Sequence, residues 1–184
     1  MATDAELLEA YAGRGDVGSL SAFVGRHSRR VMVFLEGMLH SRAEAEDCFQ
    51  ETWLRVIQRG KDYRGGGAVA WVMAIARSIA LDRIRREGRL VSLDAEDAEG
   101  ERLVAEPEAK EPPPPESAGY NLMRGEVLEE IRRLPLAQRE VLMLRIEGGL
   151  EFREIAEATG APLGSVLTRM HLAKQALMRK FGGM

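Results

Sequence analysis

Apolar residues recur at helical spacing along the N-terminal half of the chain. Four helices are predicted between residues 4 and 89: over 4–13, from Val17 to His40, from Ser41 onward, and from about Ala68 to Glu87. The third begins with Ser-x-x-Glu at Ser41 and Glu44, a capping box typical of a helix N-terminus. The glycine-rich stretch RGKDYRGGG separates the third helix from the fourth, and we expect a loop there.

The third and fourth helices each have two kinds of surface. In the third, an apolar side is predicted from Phe49, Trp53, Leu54, Val56 and Ile57, and a polar side from Asp47, Gln50, Glu51 and Arg55. The fourth begins with apolar positions and ends in a cluster of Arg77, Arg83, Arg85, Arg86 and Arg89. Positive charge at a helix C-terminus can simply complement the helix dipole. Beside an aromatic loop residue such as Tyr63, the same arginines could instead receive unstacked bases.

Helical spacing returns from Tyr120 onward, and four more helices are predicted, over 121–134, 136–149, 151–160 and from Leu163. Gly160 is expected to turn in the left-handed conformation between the last two. The last helix has an inward stripe of Leu163, Val166, Met170, Ala173 and Leu177, and an outer face of Gly164, Ser165, Thr168, His171, Leu172 and Gln175. From Leu163 to Met184 it carries four basic residues and no acidic one. A helical hairpin would share this packing, but the acid-free basic helix favours a DNA-binding helix-turn-helix.

Charge and proline content divide the chain. Residues 91–119 contain nine acidic and two basic residues, a balance of −7, so the rest of the chain carries +4 although the whole carries −3. Five of the seven prolines lie there, four in succession from Pro112 to Pro115. Such a run favours extended backbone and is typical of a linker. The predicted fold class is therefore all-α: two small helical domains, 1–90 and 120–184, joined by an acidic, proline-rich linker over 91–119.

Several classes of protein are disfavoured by composition. The single cysteine, Cys48, excludes an intrachain disulfide, and its position in a helix favours a small buried residue over a redox sensor. His27 and His40 have no metal-ligand spacing, and no nucleophile, base and phosphate-binding loop occur together. We expect no cofactor, no metal and no enzymatic activity. No apolar run has the length of a membrane span and no signal peptide is visible, so we expect a cytoplasmic protein.

Two long motifs resemble one known family. AEAEDCFQETWLRV with AWVMAIARSIALDRIRR resembles the second domain of extracytoplasmic-function sigma factors, the group-four members of the bacterial sigma-70 family. LPLAQREVLMLRIEGGLEFREIAEATGAPLGSVLTRMHLAKQAL resembles the fourth domain of the same family. The resemblance implies a protein that binds core RNA polymerase, directs it to promoter DNA and is regulated by an anti-sigma factor.

The same resemblance implies roles for three groups of residues. Binding to core polymerase is implied for Asp47, Gln50, Glu51 and Leu54. Capture of the melted −10 strand is implied for Tyr63, Arg64, Trp71, Arg77, Asp82, Arg83 and Arg86. Recognition of the −35 element is implied for Gly164, Ser165, Thr168, Arg169, His171 and Lys174.

The linker is long enough for these roles. If the promoter elements lie about one and a half duplex turns apart, their separation is roughly 50 Å. A flexible coil of 29 residues averages about 30 Å. Fully extended it reaches about 100 Å. Prolines and like charges bias it toward the longer end.

The chain departs from the family pattern at four positions. Ser78 stands where the family usually has Asn near the melted strand, and Glu151 stands where a helix-capping Ser is usual. Leu167 and Leu172 occupy positions that are often basic, and losing two phosphate contacts would flatten the salt dependence of DNA binding by roughly two units of log–log slope. Leu172 is either a surface leucine or a contact for a thymine methyl group.

Two other classes of function compete with a sigma factor. One is a one-component transcription regulator, with a helical N-terminal sensor domain joined to a helix-turn-helix. The other is an enzyme with a DNA-binding tail, which lacks a catalytic constellation. The pair AEDCFQETWL and IARSIALDRIRR favours the sigma factor, because a ligand-sensing domain has no reason to carry both.

Overall fold

The computed structural model of the chain describes residues 1–88 and 118–182, with 118–123 described as backbone alone. The predicted linker lies outside the described residues, apart from Ala118 and Gly119, which begin a helix. Every regular element in the described part is helical, as predicted. The helices are α1 Asp4–Arg14, α2 Val17–Met38, α3 Arg42–Arg59, α4 Ala68–Arg86, α5 Ala118–Arg133, α6 Leu136–Ile146, α7 Phe152–Thr159 and α8 Leu163–Phe181, with a 3₁₀ turn at Gly60–Asp62 between α3 and α4.

Helix boundaries follow the local sequence signals. The Ser41 hydroxyl accepts from the Glu44 N–H at 3.5 Å, which is the Ser41 half of the predicted capping box. Pro135 precedes α6 directly, and its carbonyl accepts from the N–H groups of Gln138 and Arg139 at 3.0 Å each. Gly160 ends α7 with φ of 70°, a left-handed conformation that glycine adopts without a Cβ clash. Each of these three signals was readable in the sequence.

The N-terminal half, α1 to α4, encloses large apolar side chains. Phe23, Phe34, Met38 and Met73 are fully buried at its centre. Two residues of α3 differ from the prediction that all its apolar side chains share one covered side. Leu54 is 57% exposed and Ile57 49% exposed, so both lie on the outer surface of the helix. Helix geometry explains the difference, because Leu54 and Ile57 follow the polar residues Asp47 and Gln50 by seven positions, about two turns.

The C-terminal half, α5 to α8, is built as the periodicity predicts, with two corrections in α8. Val166, Met170 and Ala173 face inward and are buried. Leu163 was predicted on the same stripe but is exposed, because the first residue of the helix extends past the helices beneath it. Leu177, near the other end, is only partly buried.

The two halves pack against each other. Helix α2 contacts both α5 and α6, and the buried residues of the two halves form one continuous hydrophobic cluster. The two halves approach closely at Gly37, where a Cβ atom would lie 2.5 Å from Cε of Met143. A glycine inside a helix gives no periodicity signal of its own, so the sequence predicted the modules without predicting this contact. Within residues 1–88 and 118–182, no helix is both long and apolar enough to cross a bilayer.

Candidate functional site

The residues predicted to bind core polymerase form a continuous exposed surface on α3, which we call the α3 ridge. Asp47, Gln50 and Leu54 are exposed and Glu51 is half-buried. Their spacing of three, four and seven positions places them on one face of the helix. Ile57 extends the same face by almost another turn, and sequence reasoning missed it. The signal was present, because Ile57 follows Gln50 by seven positions.

Two ion pairs border the α3 ridge. Glu51 Oε1 lies 2.5 Å from Arg55 Nη2, one turn further along the helix. Asp47 Oδ2 lies 3.8 Å from Arg83 Nη2 of α4. Arg83 belongs to the residues predicted to bind the −10 strand, so the structure brings two predicted sites into direct contact.

The loop before α4 places Tyr63 inside the protein. Its side chain is 5% exposed, and its ring centroid lies 5.5 Å from that of Trp71, which is half-buried. The Tyr63 hydroxyl donates to the Gly66 carbonyl at 2.7 Å, and burial raises the pKa of the phenol. In this conformation the aromatic face of Tyr63 is covered by protein. Tyr63 therefore supports the loop, and its predicted contact with an unstacked base stays a prediction.

The other residues predicted to bind the −10 strand differ in exposure. Arg64 and Arg86 are exposed, and Arg64 donates to the Lys61 carbonyl. Asp82 is half-exposed and lies 3.4 Å from Arg85. Ser78, the departure from the family pattern, is exposed on the same helix. Arg64, Ser78 and Arg86 thus leave polar groups available to a ligand.

Arg77 has a different environment. Its Nε lies 2.5 Å from Oε1 of Glu140 in α6, and the two side chains are only 18% and 3% exposed. Burial raises the pKa of the Glu140 carboxyl, and the positive charges of Arg77 and Arg169 act in the opposite direction. Sequence reasoning did not single out Glu140. The sequence does contain an indication that Glu140 is buried. It precedes buried Leu144 by four residues, so both side chains lie on the inner side of α6.

The residues predicted to read the −35 element all lie in α8 and differ in exposure. Gly164 is exposed, and Ser165, Thr168, Arg169, His171 and Lys174 are half-buried. Leu167 and Leu172, the departures from basic residues, are also half-buried rather than fully solvated. Glu151, the departure from a capping serine, is the N-cap residue just before α7. Its N–H donates to the Glu154 carboxylate at 2.7 Å, which is the Glu154 half of a capping box.

Cys48 and the two N-terminal histidines have structural environments. Cys48 is buried, and burial raises its thiol pKa, as expected of a small core residue. His27 Nε2 lies 2.8 Å from Asp4, and His40 Nε2 lies 3.5 Å from Arg139. Within residues 1–88 and 118–182, no three His, Cys, Asp or Glu side chains are grouped to hold a metal ion.

Comparison with known proteins identifies both halves. The family model of Sigma-70 region 2 matches residues 23–90, and that of Sigma-70, region 4 matches residues 124–177, which together cover about two thirds of the chain. The chain belongs to the sigma-70 family. It is an RNA polymerase sigma factor of the extracytoplasmic-function (ECF) group, whose partners are core RNA polymerase and promoter DNA. The alternative of a one-component regulator is not favoured, because both sigma regions are matched in their expected order.

Relatives extend the likeness beyond the two matched regions. The ECF RNA polymerase sigma factor SigE of Mycolicibacterium smegmatis is 28% identical over 176 residues, which cover 95% of this chain and 66% of SigE. SigW of Bacillus subtilis is also 28% identical, over 91% of both chains. The similarity to these sigma factors therefore extends along almost the whole sequence.

Solved structures show the same fold. CnrH, in complex with the cytosolic domain of CnrY, superposes with a TM-score of 0.68 at 18% identity, covering 98% of this chain and 99% of CnrH. RpoE of Bartonella quintana, in complex with the anti-sigma factor NepR, superposes with a TM-score of 0.65 at 19% identity, covering 89% and 96%. The arrangement of helices seen here is therefore a known fold of sigma factors.

Proposed function

We propose that this sigma factor divides promoter recognition among three surfaces: the α3 ridge binds core polymerase, the loop and α4 take the −10 strand, and α8 reads the −35 element. The proposal assigns residues 1–90 to a region-2 domain, 91–119 to a linker and 120–184 to a region-4 domain. Its strongest support is the α3 ridge, where acidic, amide and apolar side chains lie exposed on one helix face.

The α3 ridge has the composition of a protein-binding surface. Leu54 and Ile57 each leave about half of a large apolar side chain in water, a cost that a partner surface would remove. Asp47 and Glu51 border them with negative charge, which selects a basic partner and orients it. The packing of α3 on α2 and α4 does not account for this exposed apolar area.

Capture of the −10 strand requires contacts that exist only once the duplex is open. Extruding a base costs on the order of a few kcal/mol, so strand-specific contacts must offset that cost. Exposed Arg64 and Arg86 supply charge for phosphates. Tyr63 and Trp71 lie beneath the loop as an aromatic pair, so base stacking on Tyr63 requires the loop over 63–67 to move.

Recognition of the −35 element requires only a duplex groove. The N-terminal part of α8 begins with exposed Gly164 and half-buried Ser165, two small residues that allow the helix to approach DNA closely. Thr168 follows one turn later, and its hydroxyl donates to the Gly164 carbonyl at 3.0 Å in the free protein. Arg169, His171 and Lys174 add donors for phosphates or base edges.

Regulation and location follow from the same assignment. The polymerase supplies the chemistry of RNA synthesis, so no active site is assigned to this chain. We assign it to the cytoplasm, where bacterial polymerase works. The solved relatives bound to CnrY and NepR support a protein regulator, an anti-sigma factor, that covers the polymerase-binding and DNA-binding surfaces.

The experiment that tests the proposal changes the α3 ridge. Asp47→Arg combined with Gln50→Ala should abolish binding to purified core polymerase, because it replaces one of the two ridge carboxylates with a cation and removes an amide, while circular dichroism stays unchanged. The matched control is Glu126→Arg, the same charge reversal at an exposed position of α5. Core affinity of the double variant equal to that of the control would refute the assigned face.

A further inference from the structure

Helix α1 contacts the end of α3 at the point where the α3–α4 loop, residues 60–67, begins. The Tyr11 hydroxyl donates to the Ile57 carbonyl at 3.1 Å, across 46 positions of sequence. Ile57 belongs to the last turn of α3, where carbonyl groups run out of helical N–H partners. Tyr11 therefore supplies a hydrogen bond to the end of α3 from a distant part of the chain.

The Tyr11 ring also covers Gly60, the first residue of the α3–α4 loop. A Cβ atom at Gly60 would lie 2.7 Å from Cδ1 of the ring and closer still to Cε1. The backbone of Gly60 is right-handed helical, with φ of −54° and ψ of −34°, which any residue can adopt. The closeness of Tyr11, rather than backbone conformation, is therefore what favours glycine at this position.

Gly60 in turn holds the backbone of Tyr63. The Gly60 carbonyl accepts from the Tyr63 N–H at 3.2 Å, which closes the 3₁₀ turn. Beyond Tyr63 the chain passes through Gly65 and Gly66, whose φ values of 87° and 94° suit a residue without a Cβ atom. The loop thus starts from a fixed point on α1 and continues into a segment with wide conformational freedom.

Helix α1 is anchored on α2 and borders the α3–α4 loop at a second point. Asp4 Oδ1 lies 3.0 Å from Arg26 Nη1 of α2, and Leu8 is buried in the core. A Cβ atom at Gly65 would lie 3.4 Å from Glu9 Oε1. Helix α1 is therefore a fixed support that lies beside the loop both at its start and near its middle.

We propose that Tyr11 is a positioning residue for selection of the −10 element: it holds Gly60, and through Gly60 the backbone of Tyr63, so that the loop meets the open strand in one orientation. The inference rests on the proposed function, which assigns the loop to the −10 strand. Base stacking on Tyr63 requires movement over 63–67, and a fixed Gly60 confines that movement to the residues after the 3₁₀ turn. A support that is fixed before binding lowers the entropy cost of ordering the loop on the strand.

The test uses holoenzyme, made from purified core polymerase and the full chain, on a promoter library randomised upstream of the start site. Each template carries a barcode within its transcript, so barcode sequencing gives the preference for the favoured base at each position of the two elements. Tyr11→Phe removes only the hydroxyl, and it should lower the −10 preference about fivefold, the usual net effect of one hydrogen bond. The −35 preference, read from the same transcripts, should not change.

This comparison separates positioning from a purely structural role. Loss of folded chain would lower the yield of transcripts without changing the preference at either element. A lower −10 preference at an unchanged −35 preference is therefore the result that a structural role of Tyr11 does not produce.

Gly60→Ala tests the contact with the ring. The added methyl group meets the Tyr11 ring and displaces the loop, so the −10 preference should fall. In the Tyr11→Ala background the methyl group has space, and Gly60→Ala should cause no further loss. Gly25→Ala is the matched control and should leave the preference unchanged, because Gly25 is a helical glycine of α2 at which an added Cβ has no neighbouring atom of the described chain within 4 Å.

The outcomes separate this inference from the proposed function. An unchanged −10 preference for both Tyr11→Phe and Gly60→Ala would overturn the positioning role, and so would equal losses from Gly60→Ala with and without the Tyr11 side chain. Tyr63→Leu tests the proposed function, because it removes the stacking face from the loop. If Tyr63→Leu relaxes −10 selection and the Tyr11 variants do not, the positioning role fails alone. If none of these variants relaxes it, the assignment of the loop to the −10 strand fails as well.

Discussion

Truncation of Leu54 should weaken core binding more than it weakens the fold. Leu54→Ala removes three carbons, worth about 2.4 kcal/mol if all were transferred from water to an apolar surface. Because 57% of Leu54 is exposed in the free protein, about 1.4 kcal/mol of that transfer is available on binding, or about a tenfold loss of affinity. The remaining part, about 1 kcal/mol, is an upper limit for lost folding stability.

The assay is a titration of labelled chain with purified core polymerase, alongside urea unfolding of each variant. Val17→Ala is the control, because Val17 is an exposed apolar residue at the start of α2, away from the α3 ridge. Its core affinity should be unchanged. A Leu54→Ala chain that binds core as tightly as the Val17→Ala chain would refute the burial of Leu54 at the polymerase interface.

Three further predictions concern stability and DNA binding. His27→Gln should reduce acid sensitivity, because burial lowers the pKa of His27 and its buried Nδ1 has no partner. The contribution of neutral His27 to folding stability is fully present above about pH 6.5 and is lost as pH falls toward its lowered pKa. The urea midpoint of the unaltered chain should therefore drop more than that of His27→Gln between pH 7.5 and 5.5. Gly160→Ala should cost about 1–2 kcal/mol by urea unfolding, since its φ is 70°; an unchanged midpoint would contradict this. Leu172→Lys should steepen the salt dependence of −35 binding by about one log–log unit, and an unaltered slope would place residue 172 away from phosphate.

The sequence predicted most of the fold because its local signals agree. Periodic apolar positions, the cap at Ser41 and the turn at Gly160 each specify structure within a few residues, and no tertiary contact overrides them. The linker is predicted from its charge and prolines, and it stays a prediction because residues 89–117 lie outside the described part of the chain. The predicted burial was wrong at Leu54, Ile57 and Leu163, because burial there depends on which neighbouring helices cover the helix surface.

The sequence indicated which residues belong to the candidate site better than it indicated how those residues are arranged. Motifs indicated the residues of the α3 ridge, α4 and α8, and the structure shows the α3 ridge exposed on one face. The burial of Tyr63 and the pairing of Arg77 with Glu140 were not predictable, because both depend on contacts distant in sequence. Gly37 is the clearest case, since its importance comes entirely from a methionine more than 100 residues away.

The central claim, that this chain tells core polymerase where to begin, is tested most directly by transcription from a promoter library. Purified core polymerase is incubated with the library with and without the chain, and the 5′ ends of the transcripts are sequenced. We expect a defined set of start sites that appear only when the chain is added and share two upstream elements. Identical start sites in both reactions, or DNA targets bound as tightly without polymerase as with it, would contradict the account.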